Sequence, residues 1–185
     1  MADLDLIIER AHPLAARVHA SSGVAITPAP ACYRVNLRCG VKEAGPVTKA
    51  LGMDLPRAPN TSSMKGSRTV LWLGPDEWLL LDGSEDPMVA LRDVDVDVAH
   101  SAVDISHRNT AILVSGARSA EVINAGCPRD LSDDAFPVGA CARTVFGKAE
   151  IVLYHVKARV YRIEVWRSFS DYVFSYLEEA GAATR

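Results

Sequence analysis

The sequence predicts an α+β fold made of two packed subdomains, each an antiparallel sheet with helices, and three observations carry that prediction. Two β-hairpins stand out, one over residues 68–82 around Gly74-Pro75-Asp76-Glu77 and one over residues 149–166 around Lys157-Ala158. Each half of the chain repeats one plan, strands, then a hairpin, then a helical segment. Nowhere do strand and helix alternate in the βαβ rhythm that builds a parallel sheet. The halves meet near Asp97, so residues 1–96 are expected to form a first subdomain and residues 97–185 a second, in one compact unit.

In chain order, Leu4, Ile7, Ile8, Ala11 and Ala15 recur at helical spacing, and Pro13 interrupts them, which predicts a short or kinked helix. Pro28 and Pro30 mark a loop. Residues 33–38, Tyr33-Arg34-Val35-Asn36-Leu37-Arg38, alternate apolar with polar, the mark of a half-buried strand. Residues 45–51 read as a short helix stopped by Gly52. Residues 55–66 carry Pro56, Pro59, Asn60, Thr61, Ser62 and Ser63, and read as the longest loop.

The first hairpin follows, with Trp72 and Trp78 six residues apart on its two arms. Residues 87–92 form a short helix with proline at its start. Val94, Val96 and Val98 alternate with Asp93, Asp95 and Asp97, which suggests an exposed strand or extended segment. Residues 102–107 and 109–115 read as two more strands. Ser115 is placed to cap a helix over residues 117–124, with Gly126 as its stop. Residues 128–139 are a loop. In the second hairpin Tyr161, Ile163 and Val165 share one face, and Arg162, Glu164 and Trp166 share the other. A closing helix is expected from Ser168, with Asp171 in capping-box position. Its apolar face would hold Phe169, Tyr172, Val173, Tyr176, Leu177 and Ala180. Gly181 would end it, and residues 182–185 would fray.

Composition narrows the function classes. The 185 residues are 49% apolar and 23% charged, ordinary for a globular protein able to bury a core. A net charge of −3 argues against nucleic acid, which asks for a basic surface. No apolar run reaches the roughly 18 residues of a membrane span. The acidic start, Met1-Ala2-Asp3-Leu4-Asp5, lacks the basic and apolar regions of a signal peptide, so a cytoplasmic protein is expected. Cys32, Cys39, Cys127 and Cys141 fit that compartment as reduced, mostly buried thiols, with no C-x-x-C pair or zinc spacing.

The search for chemistry returns little. The chain has no G-x-G-x-x-G, no G-x-S-x-G and no H-E-x-x-H. Gly147-Lys148 lacks the upstream glycine of a phosphate loop, and Ala149 stands where Ser or Thr would be needed. The Asp93, Asp95, Asp97 series lacks the glycine and distal glutamate of a calcium loop. His12 and His19, seven residues apart, read as surface side chains. Asn60-Thr61-Ser62 is a glycosylation sequon that a cytoplasmic chain would leave unmodified. The densest polar cluster is His100, Asp104, Ser106, His107 and Arg108. Strand parity points Asp104 and Ser106 one way and Ile105 and His107 the other, so no relay is expected. Asp104 and Ser106 should instead satisfy a sheet edge or meet an arginine. Trp72, Trp78 and Trp166 read as core or interface anchors. No catalytic, cofactor-binding or metal-binding residue is expected.

Residues 73–80, Leu73-Gly74-Pro75-Asp76-Glu77-Trp78-Leu79-Leu80, resemble the signature of the gamma subunit of heterotetrameric sarcosine oxidase. Later blocks follow in the same order: Val103-Asp104-Ile105-Ser106-His107-Arg108, then Gly126-Cys127-Pro128-Arg129-Asp130-Leu131 with Phe136-Pro137-Val138-Gly139. Ala142-Arg143-Thr144 and Arg167-Ser168-Phe169-Ser170-Asp171-Tyr172 complete the series, so the resemblance covers residues 15–180 or so. It implies a fold related to the folate-binding domains of glycine-cleavage aminomethyltransferase. It also implies a complex that demethylates sarcosine oxidatively to glycine and hydrogen peroxide and passes the one-carbon unit to tetrahydrofolate. FAD, FMN, NAD and zinc would belong to other subunits, and this chain would support assembly with alpha, beta and delta subunits. The competing expectations are a stand-alone folate-binding, one-carbon transfer protein and a free-standing scaffold. The former needs a deep pocket with an acid for the pterin, for which Asp104 and Glu77 are the candidates. Arg108 or Arg167 is expected to be partly buried and paired with Asp104, Glu77 or Asp130, since a buried guanidinium needs a partner.

Overall fold

The structure, a computed structural model, describes residues 13–183. The chain runs through β1 (His19–Ser21), β2 (Val24–Pro28), β3 (Tyr33–Cys39), α1 (Ala44–Leu51), β4 (Ser62–Lys65), β5 (Arg68–Gly74), β6 (Glu77–Asp82) and α2 (Pro87–Leu91). It continues through β7 (His100–Asp104), β8 (Asn109–Ser115), α3 (Ser119–Asn124), β9 (Cys141–Phe146), β10 (Ala149–Lys157), β11 (Val160–Trp166) and α4 (Arg167–Ala183). The strands form a five-stranded sheet, β4-β5-β6-β3-β7, and a six-stranded sheet, β1-β2-β8-β11-β10-β9. Every pairing is antiparallel.

Both hairpins form where residue pattern places them. β5 and β6 pair with Trp72 opposite Trp78 and a bulge before Gly74. β10 and β11 turn at Arg159, whose φ of +61° the tight turn requires. α1 ends at Gly52, whose φ of +66° is the left-handed cap conformation that glycine adopts without a Cβ penalty. Asp86 caps α2 by accepting from the Met88 N–H, with Pro87 in the first turn.

The apolar run Trp78-Leu79-Leu80-Leu81 has a structural reason. Trp78 and Leu80 face α1 and α2, packing with Val35, Leu37, Val47 and Leu91. Leu79 and Leu81 face the other sheet, packing with Leu71, Ile105, Cys141 and Tyr154. A strand covered on both faces reads as a continuous hydrophobic run rather than an alternating one. The six-stranded sheet carries α3 and α4 on its far side, where Phe136, Phe146, Ile163, Phe174 and Leu177 form the largest core. The layers are therefore helices, sheet, sheet, helices.

Sheet membership does not follow the division at residues 96 and 97. β1 and β2 join the six-stranded sheet, with β2 pairing β8, and β7 forms an edge of the five-stranded one. Strand pairing is long-range, and local pattern carries no information on which open edge a strand will join.

Other differences are local. Residues 62–65 are a strand inside the expected 55–66 loop: an edge strand needs only the ladder, and Ser-Ser-Met-Lys supplies it against β5. Residues 93–98 form turns, not a strand. The Asp97 N–H donates to the Asp95 carboxylate at 3.0 Å and the Val98 N–H to the Asp95 carbonyl at 3.0 Å, the local bonding by which Asp competes with a ladder. Ser115 remains in β8, its hydroxyl on the Ala25 carbonyl, so α3 starts at Ser119 with no side-chain cap. α4 starts at Arg167 directly from β11, which puts Ser168 inside the helix rather than at its cap. Its buried side is Ser170, Val173, Phe174, Leu177 and Gly181, so the face is rotated from the one expected and leaves Phe169 and Tyr172 exposed. Gly181 lies within the helix, where a Cβ would come 3.2 Å from the His19 ring. The helix predicted over the first fifteen residues falls mostly outside the described residues; Leu14 is fully buried.

Candidate functional site

Strand parity sends one set of polar side chains into the layer between the sheets. On β3 the residues alternating with Val35 and Leu37 are Arg34, Asn36 and Arg38; on β11 those alternating with Ile163 are Arg162 and Glu164. Glu164 lies there with its side chain fully buried. Arg34 Nε donates to Glu164 Oε2 at 2.6 Å and Arg162 Nε to Oε1 at 2.7 Å, so both carboxylate oxygens are paired. Arg34 also donates to the Cys32 carbonyl at 3.1 Å, and Arg162 to the Cys32 sulfur at 3.1 Å. Burial pulls the Arg162 guanidinium down, but the charges of Glu164 and Cys32 and the hydrogen bonds to them together outweigh it and hold Arg162 above its ordinary range. Burial pushes the Cys32 thiol up, against the opposing charges of Arg162 and Arg34.

Glu77 joins the same layer. It accepts from Asn36 Nδ2 at 2.8 Å and from Arg143 Nη2, which reaches across from the other sheet, at 2.6 Å. Burial raises this carboxyl, but the hydrogen bonds from Arg143 and Asn36 outweigh it and hold Glu77 below its usual range. The crevice beside it, lined by Asn36, Leu73, Ile105, Arg143, Glu164 and Trp166, encloses about 30 Å³. That is room for about one or two waters, against the roughly 300 Å³ or more of a ligand pocket. Asp104, the other candidate acid, stands exposed on the edge strand β7 and accepts from the Ser106 N–H at 2.8 Å. Neither acid sits in a pocket that fits a pterin.

The polar cluster around Ser106 forms no relay. The Ser106 hydroxyl accepts from the Arg34 N–H at 2.8 Å, His100 Nδ1 pairs with the Val98 carbonyl at 2.8 Å, and His107 is exposed. Arg108 and Arg167 are both exposed, where partial burial of one is expected; the more buried arginine side chains are Arg34, Arg68 and Arg162. Alternation alone makes Arg34 and Arg38 equivalent, and only the second sheet, which covers Arg34 and leaves Arg38 on exposed Asp76, separates them. His155 was not singled out by sequence. It is buried in the six-stranded sheet's core, stacked 4.3 Å from Tyr161, with Nδ1 2.8 Å from the Phe136 carbonyl.

The largest cavity described, about 760 Å³, lies under the first hairpin. Trp72, Trp78, Pro75, Leu55, Ala44 and Thr48 line it, with exposed Asp54 and Arg57 at its rim. Trp78 Nε1 donates to the Pro56 carbonyl at 2.8 Å, which holds the 54–59 loop against α1 and the hairpin. Neither Glu77 nor Asp104 lines this cavity. Among the described residues no three His, Cys, Asp or Glu side chains converge as metal ligands. All four cysteines are free thiols, Cys32 half-buried and the others buried, with Cys141 pushed up to about 11 by burial. No described helix is long and apolar enough to cross a membrane.

Two antiparallel sheets face to face, with helices outside, a charged seam inside and no room beside the seam, define a two-sheet α+β protein of the aminomethyltransferase fold. An aminomethyltransferase of the glycine cleavage system from Bartonella henselae superposes with a TM-score of 0.65 at 9% identity, over 84% of this chain and 45% of that one. The sarcosine oxidase, gamma subunit family model matches residues 40–183, and the chain belongs to that family. Sarcosine oxidase subunit gamma from Corynebacterium sp. strain U-96 is 29% identical over 134 residues, covering 71% of this chain and 65% of that protein. Its counterpart from Corynebacterium sp. strain P-1 is 28% identical over 141 residues, 72% of this chain and 67% of that protein. The chain thus spans about two thirds of the length of the curated relatives it matches. A chain of heterotetrameric sarcosine oxidase from Corynebacterium sp. U-96, in complex with pyrrole 2-carboxylate, superposes with a TM-score of 0.84 at 24% identity, over 94% of this chain and 95% of that one.

Proposed function

We propose that this chain is a noncatalytic gamma subunit of a heterotetrameric sarcosine oxidase and that it supports assembly of the larger subunits. The observation that carries the reading is the family match over residues 40–183. In this reading the complex demethylates sarcosine oxidatively, yielding glycine and hydrogen peroxide and passing the one-carbon unit to tetrahydrofolate. The partners are alpha, beta and delta subunits in the cytoplasm, and FAD, FMN, NAD, zinc and folate are held by those subunits. The filled seam supports placing the chemistry elsewhere. Glu77 is committed to Arg143 and Asn36, and the adjoining crevice of about 30 Å³ gives a pterin no seat.

Reconstitution of the complex with and without this chain, followed by a sarcosine oxidation assay, tests the reading. The chain should co-purify with the flavin-bearing subunits, and its omission should reduce the yield of active complex. A complex that assembles and turns over equally well without it would sink the proposal. Calorimetry of the isolated chain with tetrahydrofolate should give no heat of binding.

A further inference from the structure

Three aromatic side chains line up on the outside of the molecule where β11 passes into α4. Trp166 is 42% exposed, and Phe169 and Tyr172 are 39% exposed each. The Trp166 and Phe169 rings lie 6.4 Å apart, and Phe169 and Tyr172 are one helical turn apart on α4. Phe169 and Tyr172 are about 4.5 Å apart along the helix axis, at about 1.5 Å of rise per residue. Val41, Val89, Val96 and Val138, also exposed, stand singly on four different segments, the ordinary condition of surface apolar residues. A contiguous aromatic stripe is different, and Trp, Tyr and Arg are the residue types that anchor protein interfaces.

A basic residue stands at each end of the stripe. The Arg108 guanidinium lies 5.2 Å from the Trp166 ring centre and donates to the Asn109 side chain at 3.3 Å. At the other end the main-chain N–H of Lys148, an exposed residue, donates to the Tyr172 hydroxyl at 3.2 Å, which seats Lys148 beside that ring. Neither Arg108 nor Lys148 has a carboxylate partner among the described residues, although the chain's net charge is −3. The neighbouring carboxylates are engaged: Asp171 pairs with Arg17, and Glu150 lies 4.0 Å from Arg143.

From this arrangement we infer that the Trp166–Phe169–Tyr172 stripe is the docking surface for an acidic, apolar-anchored segment of one of the larger subunits. Apolar side chains of that segment cover the rings, and carboxylates at its two ends meet Arg108 and Lys148. This rests on the assembly reading above.

The test measures binding of the full chain to the flavin-bearing subunits at low and high salt, by co-purification and by a surface-binding titration. Wild type should bind and weaken with salt, because screening acts on the exposed charge pairs. Phe169→Asp should lower affinity by about tenfold or more, as loss of an interface anchor does. Arg108→Glu with Lys148→Glu should lower affinity and invert the salt dependence, because salt then screens a repulsion. Val96→Asp, at an isolated exposed valine, should leave binding unchanged. If wild type binds and both stripe variants bind equally well, the surface assignment is overturned while the assembly reading stands. If wild type binds no subunit, the assembly reading falls and takes the surface with it. Self-association of the isolated chain that Phe169→Asp abolishes would replace the acidic partner with a second copy. Near-UV circular dichroism checks that Phe169→Asp folds; should it not, the two charge reversals, on exposed side chains, decide the matter.

Discussion

The layer between the two sheets is built in two ways. In one region Leu71, Leu79, Leu81, Ile105, Tyr154 and Cys141 pack together without charge. Beside it Arg34, Arg162 and Glu164 are buried as an ion triad. The two regions touch by register, since Tyr154 lies opposite Arg162 on the β10–β11 ladder and Leu81 opposite Arg34 on the β3–β6 ladder. Apolar burial is non-directional: it drives the sheets together and leaves several ways to slide them. The Arg34–Glu164 pair joins β3 to β11 across the layer in one geometry, which fits a role for the triad in selecting the register that the leucines leave open. Its cost is desolvation, which makes it sensitive to loss of any one member.

The most damaging change to the comparison is Glu164→Leu, which strands two buried guanidiniums. Denaturant unfolding should show a loss of about 3–5 kcal/mol, while Arg34→Met, Arg162→Met and Glu164→Leu combined should recover most of it. Failure of the triple variant to recover would mean that the triad supplies net stability and not only specificity. In the apolar region Leu79→Ala should cost about 2–5 kcal/mol by the same measurement, with no change in pH dependence.

Acid sharpens the contrast. Burial raises the Asp82 carboxyl, but hydrogen bonds from the Ser84 N–H, Ser67, the Glu85 N–H and Arg68 outweigh it and bring Asp82 down to about 2. A carboxylate depressed on folding contributes stability above its unfolded value, here 3.8, and loses it as pH falls toward about 2. Wild type should therefore exceed Asp82→Asn in stability near neutral pH, and the gap should close between those two values in a pH series of thermal melts. Glu77, also lowered, should behave the same way as pH falls below its ordinary value of 4.5, with Arg143→Met removing most of the effect. The smallest change is at the exposed pair Arg38–Asp76, where Asp76→Asn should shift stability by less than about 1 kcal/mol.

Legibility from sequence followed the range of the interaction. Gly52, Pro87 and the two hairpins act on near neighbours, and their elements appear as read. β4 went unseen because an edge strand of Ser-Ser-Met-Lys has no apolar period to show. The Asp-Val series misled because side chains bonding to their own backbone imitate alternation without a partner strand. The charged seam was half visible: β11 parity grouped Arg162 with Glu164, but Arg34 carries no mark that separates it from Arg38. The buried face of α4 is set by packing of Val173, Phe174 and Leu177 into the six-stranded sheet's core, which the helical period of the sequence alone does not select.

By itself the sequence determined the α+β class, the antiparallel hairpins, most helix ends and, through ordered motif blocks, the family. Those depend on backbone preferences and on periodicities of a few residues. Tertiary structure alone decided that β1 and β2 complete the second sheet, that β7 borders the first, and that Glu77 and Glu164 are spent on arginines in a closed seam. Which edge a strand joins and which charge a second sheet covers are set by residues scores of positions away, beyond the reach of any local pattern.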